Sequence, residues 1–165
     1  MPDLRFNVGF SCAPGPLSFV VRKLTRSEAS HCFFSFKLAG TPLVLHADHR
    51  GVSIESRKIF DAENKTVGEF QLLTGLDACI DELLADLGRP YDYGGLVGQG
   101  WVLLGQTFGR RWENPLQSNN AWYCSELVTH FLQEAGDNIP YDPSQVSPGL
   151  LMEILTKSAF AIRIA

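Results

Sequence analysis

Cys124 stands at the start of "CSELVTHFLQEAG", and His31 and His46 stand toward the outer ends of two β-rich runs, "SHCFFSF" and "PLVLHAD". A thiol and an imidazole are the two halves of a nucleophilic acyl transfer: the thiolate attacks, and histidine takes its proton and passes it to the leaving group. After Cys124 the apolar residues fall at Leu127, Val128, Phe131, Leu132 and Ala135, the spacing of one buried helix face. Cys124 continues that stripe, so packing accounts for it in part. Its place in the first turn adds a second factor. Free backbone N–H groups and the helix macrodipole favour the thiolate and lower a thiol pKa from its usual value of about 8.5.

The chain has four histidines from which a base could come. His130 lies roughly 240° round the helix from Cys124, so the two side chains point apart and His130 reads as a solvated residue. The base therefore comes from the hairpin. A loop centred on Leu38 and Ala39 sets His31 directly opposite His46; one centred on Ala39 and Gly40 sets it opposite Asp48. Both registers are open, and because His46 and Asp48 are two apart they share a face in either. His49 falls on the other face. "HADH" also raises a metal site through His46, Asp48 and His49. On a strand, residues three apart diverge, so no metal or other cofactor is expected.

These residues need a scaffold, and 165 residues are enough for one domain spanning 1–165 with a real core. "LRFNVGF" reads as a strand and "PLSFVVRKLTR" as a helix, with Leu17, Val20, Val21 and Leu24 at helical spacing. The hairpin follows, then "VSIESRKIF" and "TVGEFQLL" as two more strands. "TGLDACIDELLADLG" reads as a helix with Thr74 and Asp77 spaced like a capping box and Gly88 to end it. "GLVGQGWVLLGQTFG" is either a loose helix or a packed loop. "SPGLLMEILTK" has Ser147 as cap and Pro148 at the first helical position, and "AFAIRIA" is a last strand. The expected class is α+β with a meandering, mostly antiparallel sheet.

Composition narrows the function. Hydrophobic residues are 45% and charged residues 19% of the chain, and no run approaches the roughly 18 apolar residues of a membrane span. The amino terminus lacks the apolar core of a secretory signal, so a cytoplasmic location is expected. With a net charge of -4 and Lys and Arg scattered in ones and twos, no nucleic-acid partner and no strong pull toward an anionic membrane are expected. Cys12, Cys32, Cys79 and Cys124 are far apart without a CxxC pair, which suits free thiols. Cys79 joins an apolar stripe, and Cys12 and Cys32 read as packing residues, with Cys32 facing away from His31.

"RPYDYGG" at 89–95 and "YCSELV" at 123–128 resemble two motifs of NlpC-type cysteine peptidases. In the usual members the catalytic histidine follows the cysteine, whereas here only His130 does. The chain is instead similar to the circularly permuted branch, the YiiX-like papain-fold hydrolases, with lecithin retinol acyltransferases as more distant relatives. "SEASHCFFSF" matches their Ser-His strand, and the likeness spans roughly residues 1 to 150. Many members carry a glutamate near the position of His46, so Asp48 and Glu55 stay alternatives to it as third residue. The resemblance implies a permuted papain-like fold, an antiparallel sheet or barrel packed on helices, with Cys124 as nucleophile, His31 as base and His46 as its orienter. Tyr91 would line the site or donate its hydroxyl to an oxyanion. The implied partner is a peptide, a peptidoglycan fragment or another acyl substrate, and an amidase or peptidase is the first reading. An acyltransferase or lipid ester hydrolase, and a catalytically silent papain-like module within a larger assembly, are the alternatives.

Overall fold

The computed structural model describes residues 5–73, 75–76, 78–95, 97–98, 105 and 120–165. In chain order its elements are β1 (Asn7–Cys12), α1 (Pro16–Thr25), β2 (His31–Leu38), β3 (Thr41–Asp48), β4 (Gly51–Ser56), α2 (Arg57–Glu63) and β5 (Lys65–Leu72). They are followed by α3 (Ile80–Ala85), α4 (Cys124–Glu134), a 3-10 turn at Pro143–Gln145, α5 (Pro148–Lys157) and β6 (Ala161–Arg163). The six strands form one sheet in the order β4-β3-β2-β1-β5-β6, with antiparallel pairing at every step.

Alternation along the strands builds two unequal faces. Val8, Phe10, Cys32, Phe34, Leu45, Ala47 and Phe70 point to the larger one, where Cys124, Leu127, Val128 and Phe131 of α4 pack against them. The other face carries a small cluster of Phe33, Val44 and Phe60, the last from α2. Each large side chain buried in this way contributes about 1.5–3 kcal/mol. The sheet is thereby sandwiched at its β2–β3 end, which is where both histidines lie.

Ala39 and Gly40 have φ of 48° and 83°, the two positive values of the turn that matches strand twist in a two-residue hairpin loop. Leu38 consequently pairs with Thr41, and Phe34 with Leu45. This is the register centred on Ala39 and Gly40; continued to the open end, it sets Phe33 against His46 and His31 against Asp48.

Three elements differ from the sequence reading. "RKIF" is not strand: Ser56 ends β4 and caps α2, its side-chain oxygen accepting from the Ile59 N–H at 3.3 Å, and a local cap of that kind outweighs the β-rich composition around it. The third helix is shorter than "TGLDACIDELLADLG", because the chain enters it only at Ile80, after Cys79; Thr74 and Asp77, the expected capping pair, lie outside the described residues, as does most of "GLVGQGWVLLGQTFG". Finally, α1 forms where its periodicity says, yet turns Val20 and Leu24 outward. Ser147 and Pro148 behave as read, with the Ser147 side chain accepting from the Leu150 N–H at 3.2 Å.

Candidate active site

Cys124 is the first residue of α4, and both of its neighbours are anchored. The Tyr123 hydroxyl donates to the Ser144 carbonyl at 2.6 Å and the Ser125 hydroxyl to the Val146 carbonyl at 2.7 Å. Asp142 in turn caps the 3-10 turn that presents those carbonyls, accepting from the Ser144 N–H at 2.9 Å. These are charge-free bonds worth about 1 kcal/mol each, and two of them flanking one residue leave its side chain little freedom of direction. The N–H groups of the first turn have no partner within the helix, which leaves a positive pole beside the sulfur.

His31 opens β2, and its Nε2 lies 3.0 Å from His46 Nδ1. The contact is diagonal rather than straight across the hairpin, and the long imidazole arms span the offset. The two rings meet edge to face with centroids 5.2 Å apart, and Phe60 packs 5.4 Å from His46 and 6.1 Å from His31. On its far side His46 Nε2 lies 3.3 Å from Glu55 Oε1, close but too poorly aligned to satisfy that nitrogen as a hydrogen bond. Asp48, the residue the register sets opposite His31, is engaged elsewhere: Arg50 grips its Oδ2 through two nitrogens at 2.9 and 2.7 Å and reaches Glu55 at 3.4 Å. His49 is 71% exposed and sits 3.6 Å from Asp48.

A seam of backbone hydrogen bonds ties the thiol's surroundings to the sheet. The Val52 N–H donates to the Arg89 carbonyl at 2.9 Å and the Gly88 N–H to Val52 at 2.8 Å. One step on, the Trp122 N–H donates to Pro90 and the Asp92 N–H to Trp122, both at 3.1 Å, forming a parallel bridge between Tyr91 and Trp122. Tyr91 is thus held two residues' reach from Cys124. The glycines of this region have steric reasons: a Cβ at Gly51 would overlap the Arg89 carbonyl oxygen, and one at Gly95 would overlap the Asp92 carboxylate that accepts the Gly95 N–H at 2.7 Å.

The charges sort themselves by surroundings. A hydrogen bond from the Cys32 side chain is the largest influence on Cys124; with the charge and a loosely aligned hydrogen bond of His31 it outweighs desolvation and holds the thiol well below its ordinary value. Cys32 moves the opposite way, driven up first by burial and then by Cys124. Of the two thiols Cys124 is the one that ionises, because the helix pole stands at it and not at Cys32. Burial, then the charge of His31, lowers His46 to about 3, so it is neutral at any ordinary pH. Burial and the neighbouring Cys124 raise Tyr91 well above its usual value, which keeps its hydroxyl able to donate. Burial alone would raise Asp48, but the Arg50 hydrogen bonds bring it below the usual carboxylate range.

A cleft of about 410 Å³ opens over this group, lined by His31, His46, Asp48, Glu55, Tyr91 and the start of α1. Cys124 is not part of its lining and is 3% exposed. Of the residues singled out from the sequence, Cys124, His31, His46 and Tyr91 come together, and Asp48 and Glu55 flank them. Cys32, read as packing alone, does pack, but its thiol also acts on Cys124. His130 lies against Trp122, with ring centroids 5.1 Å apart. Among the described residues no group of three or more His, Cys, Asp or Glu side chains is placed to hold a metal ion.

No family model matches the sequence, and no curated protein matches it significantly. Among solved structures the chain matches metalloprotein YiiX from Escherichia coli O157:H7, with a TM-score of 0.53 over 98% of this chain and 96% of that one. Its fold is like that of YiiX. At 22% sequence identity the likeness to YiiX is one of fold, and the arrangement of strands and helices above is what the two share.

Proposed function

We propose that this protein is a cysteine-dependent acyl hydrolase of the amidase or peptidase type, in a permuted papain-like fold. The observation that carries the proposal is the His31–His46 contact of 3.0 Å beside a helix-start cysteine whose thiolate is favoured. With its proton on Nε2, toward Glu55, His46 accepts at Nδ1 from the His31 Nε2–H. His31 Nδ1 then keeps its lone pair and takes the proton of the Cys124 thiol. The thiolate attacks a carbonyl carbon, and the resulting oxyanion is met by the Cys124 backbone N–H and the Tyr91 hydroxyl. The tetrahedral adduct collapses as His31 returns its proton to the leaving amine. Water, deprotonated by His31, then cleaves the thioester and restores the thiol. His46 stays neutral throughout and acts by holding the ring of His31. Amides of short peptides, peptidoglycan fragments among them, fit such a cleft; acyl esters are the next class, and a thiol acyl-enzyme serves an acyltransferase equally well.

YiiX is described as a metalloprotein. The described residues of this chain offer no three-ligand set, since His46 is closed in between His31 and Glu55 and the exposed His49 meets only Asp48, which Arg50 already holds. Among the described residues the group does not fit, and no step runs through it.

One observation favours a second reading. A cysteine that is 3% exposed and outside the cleft lining suits a binding module that has kept its fold and lost its reaction. Iodoacetamide labelling of the folded protein across a pH series, followed by peptide mapping, separates the two. Catalysis requires Cys124 to label faster than Cys12, Cys32 and Cys79 with a midpoint below the free-thiol value, and His31→Ala to reduce that advantage. A Cys124 that labels only on unfolding would leave the binding module standing.

A further inference from the structure

Helix α1 carries its apolar residues on the wrong side for a packed helix. Phe19, Val20 and Leu24 are 55%, 48% and 56% exposed, and Pro16 and Lys23 lie out with them. The half-buried side carries Val21 among polar neighbours: Ser18 meets Ser30 through a hydroxyl pair at 2.7 Å, and the Thr25 hydroxyl donates back to the Val21 carbonyl at 2.8 Å. A single exposed leucine needs no explanation. Three large apolar side chains on one helix face, between Phe19 and Leu24, mark a contact surface.

Two features say what the surface meets. The first is charge: from Pro16 to Ser30 the chain carries Arg22, Lys23 and Arg26 against the single acid Glu28, in a sequence whose net charge is -4. Arg22, Lys23 and Arg26 cluster at the end of α1. The second is the placement of Lys23, in the middle of the apolar face with its ammonium 5.8 Å from the Phe19 ring centre. The core of a protein–protein interface would have to desolvate that ammonium, and such cores are depleted in lysine. At a bilayer the same arrangement costs little, because the aliphatic stem lies among the acyl chains and the ammonium reaches the headgroups.

We infer that α1 docks flat on an anionic lipid surface, with Phe19, Val20 and Leu24 inserted and Lys23 and Arg26 against the headgroups. The first turn of the helix supplies Pro16 and Ser18 to the wall of the cleft that His31, His46 and Tyr91 line. Docking therefore sets the mouth of the cleft beside the membrane. The scattered cations of the sequence do not reveal this, since three become a patch only when the helix turns its apolar side out. The inference concerns binding and stands apart from the thiol chemistry; its failure would leave that reading untouched.

Co-sedimentation of the full chain with phosphatidylcholine vesicles, with and without phosphatidylglycerol, tests it. The wild type is expected to sediment with the anionic vesicles, and to be released by salt. The doubly substituted Phe19→Ser, Leu24→Ser should bind at least tenfold more weakly. Lys23→Glu with Arg26→Glu should also lose binding tenfold or more, at about fivefold per cation removed. All four positions are on the surface, and far-ultraviolet circular dichroism confirms that each variant is folded. Failure of the wild type to sediment with anionic vesicles would overturn the inference, as would apolar or charge variants that bind as tightly as the wild type. So would a wild type that ignores vesicles but self-associates through Phe19 and Leu24, which would make the face a protein interface.

Discussion

Mild acid should destabilise this protein before its carboxylates begin to protonate, and His46 is the reason. The ring is 2% exposed and takes a proton only at about 3, against 6.5 for a free imidazole. Between those values the unfolded chain binds one proton that the folded chain refuses. Stability rises with pH wherever the unfolded state holds more protons, so here it falls as the pH falls, by about 1.4 kcal/mol per unit for one group. Asp48 works in the same direction but lower: its carboxyl is depressed from 3.8, so its contribution is lost only as the pH drops below that value. From about pH 6.5 to 4.5 the His46 share is therefore on the order of 2–3 kcal/mol, a large part of the total for a domain of this size. Urea unfolding of the wild type and of His46→Asn at closely spaced pH values measures it, because the other groups titrate in both. The wild type should lose about 2 kcal/mol more than the variant across that window, whatever their relative stability at neutral pH. Parallel curves would mean that His46 accepts a proton in the folded state, and the neutral orienter would have to be abandoned.

Cys124→Ala should abolish turnover of any acyl substrate while costing only about 1 kcal/mol in thermal unfolding, since it removes one sulfur from a packed site. His46→Asn should slow Cys124 alkylation about tenfold and Asp48→Ala by less than about twofold, as mapped labelling rates would show, because Arg50 rather than His31 holds Asp48. Tyr91→Phe should lower kcat by about a hundredfold with KM little changed, in steady-state kinetics on whichever amide or ester proves to be turned over. Gly51→Ala should cost about 2 kcal/mol or more in urea unfolding and also slow Cys124 labelling, because its φ of 100° and the Arg89 carbonyl leave no room for a methyl group.

Much of the scaffold could be read from local signals. The Ser147 cap and Pro148, most of the strands and the stripe from Cys124 to Leu132 each depend on neighbours within a few residues and stand where their patterns say, whereas the strand read through "RKIF" gives way to α2. The hairpin pairing was ambiguous by two residues until the positive φ at Ala39 and Gly40 decided it, and a non-glycine residue in the left-handed region has no reliable sequence mark. Even with the register known, straight pairing would name Asp48 as the partner of His31. Only side-chain reach brings in His46, and only Arg50, two residues beyond Asp48, takes the carboxylate away. Cys32 shows the same limit: strand alternation rightly turns it from His31, but it cannot say that α4 delivers another sulfur to that face. The outward turn of α1 was equally hidden, because periodicity gives the existence of an apolar stripe and not its direction.

The seam joining Val52, Gly88, Arg89, Pro90, Asp92 and Trp122 is written almost entirely in main-chain atoms. Amide groups are common to every residue but proline, so the side chains along that stretch can drift without disturbing how far the thiol stands from the sheet. Selection can then rework the rim around Tyr91 for a new ligand while the nucleophile keeps its place. The positions intolerant of change are the four that donate, Val52, Gly88, Asp92 and Trp122, and what they refuse above all is proline. A fold wired in this way separates the inheritance of its geometry from the inheritance of its specificity.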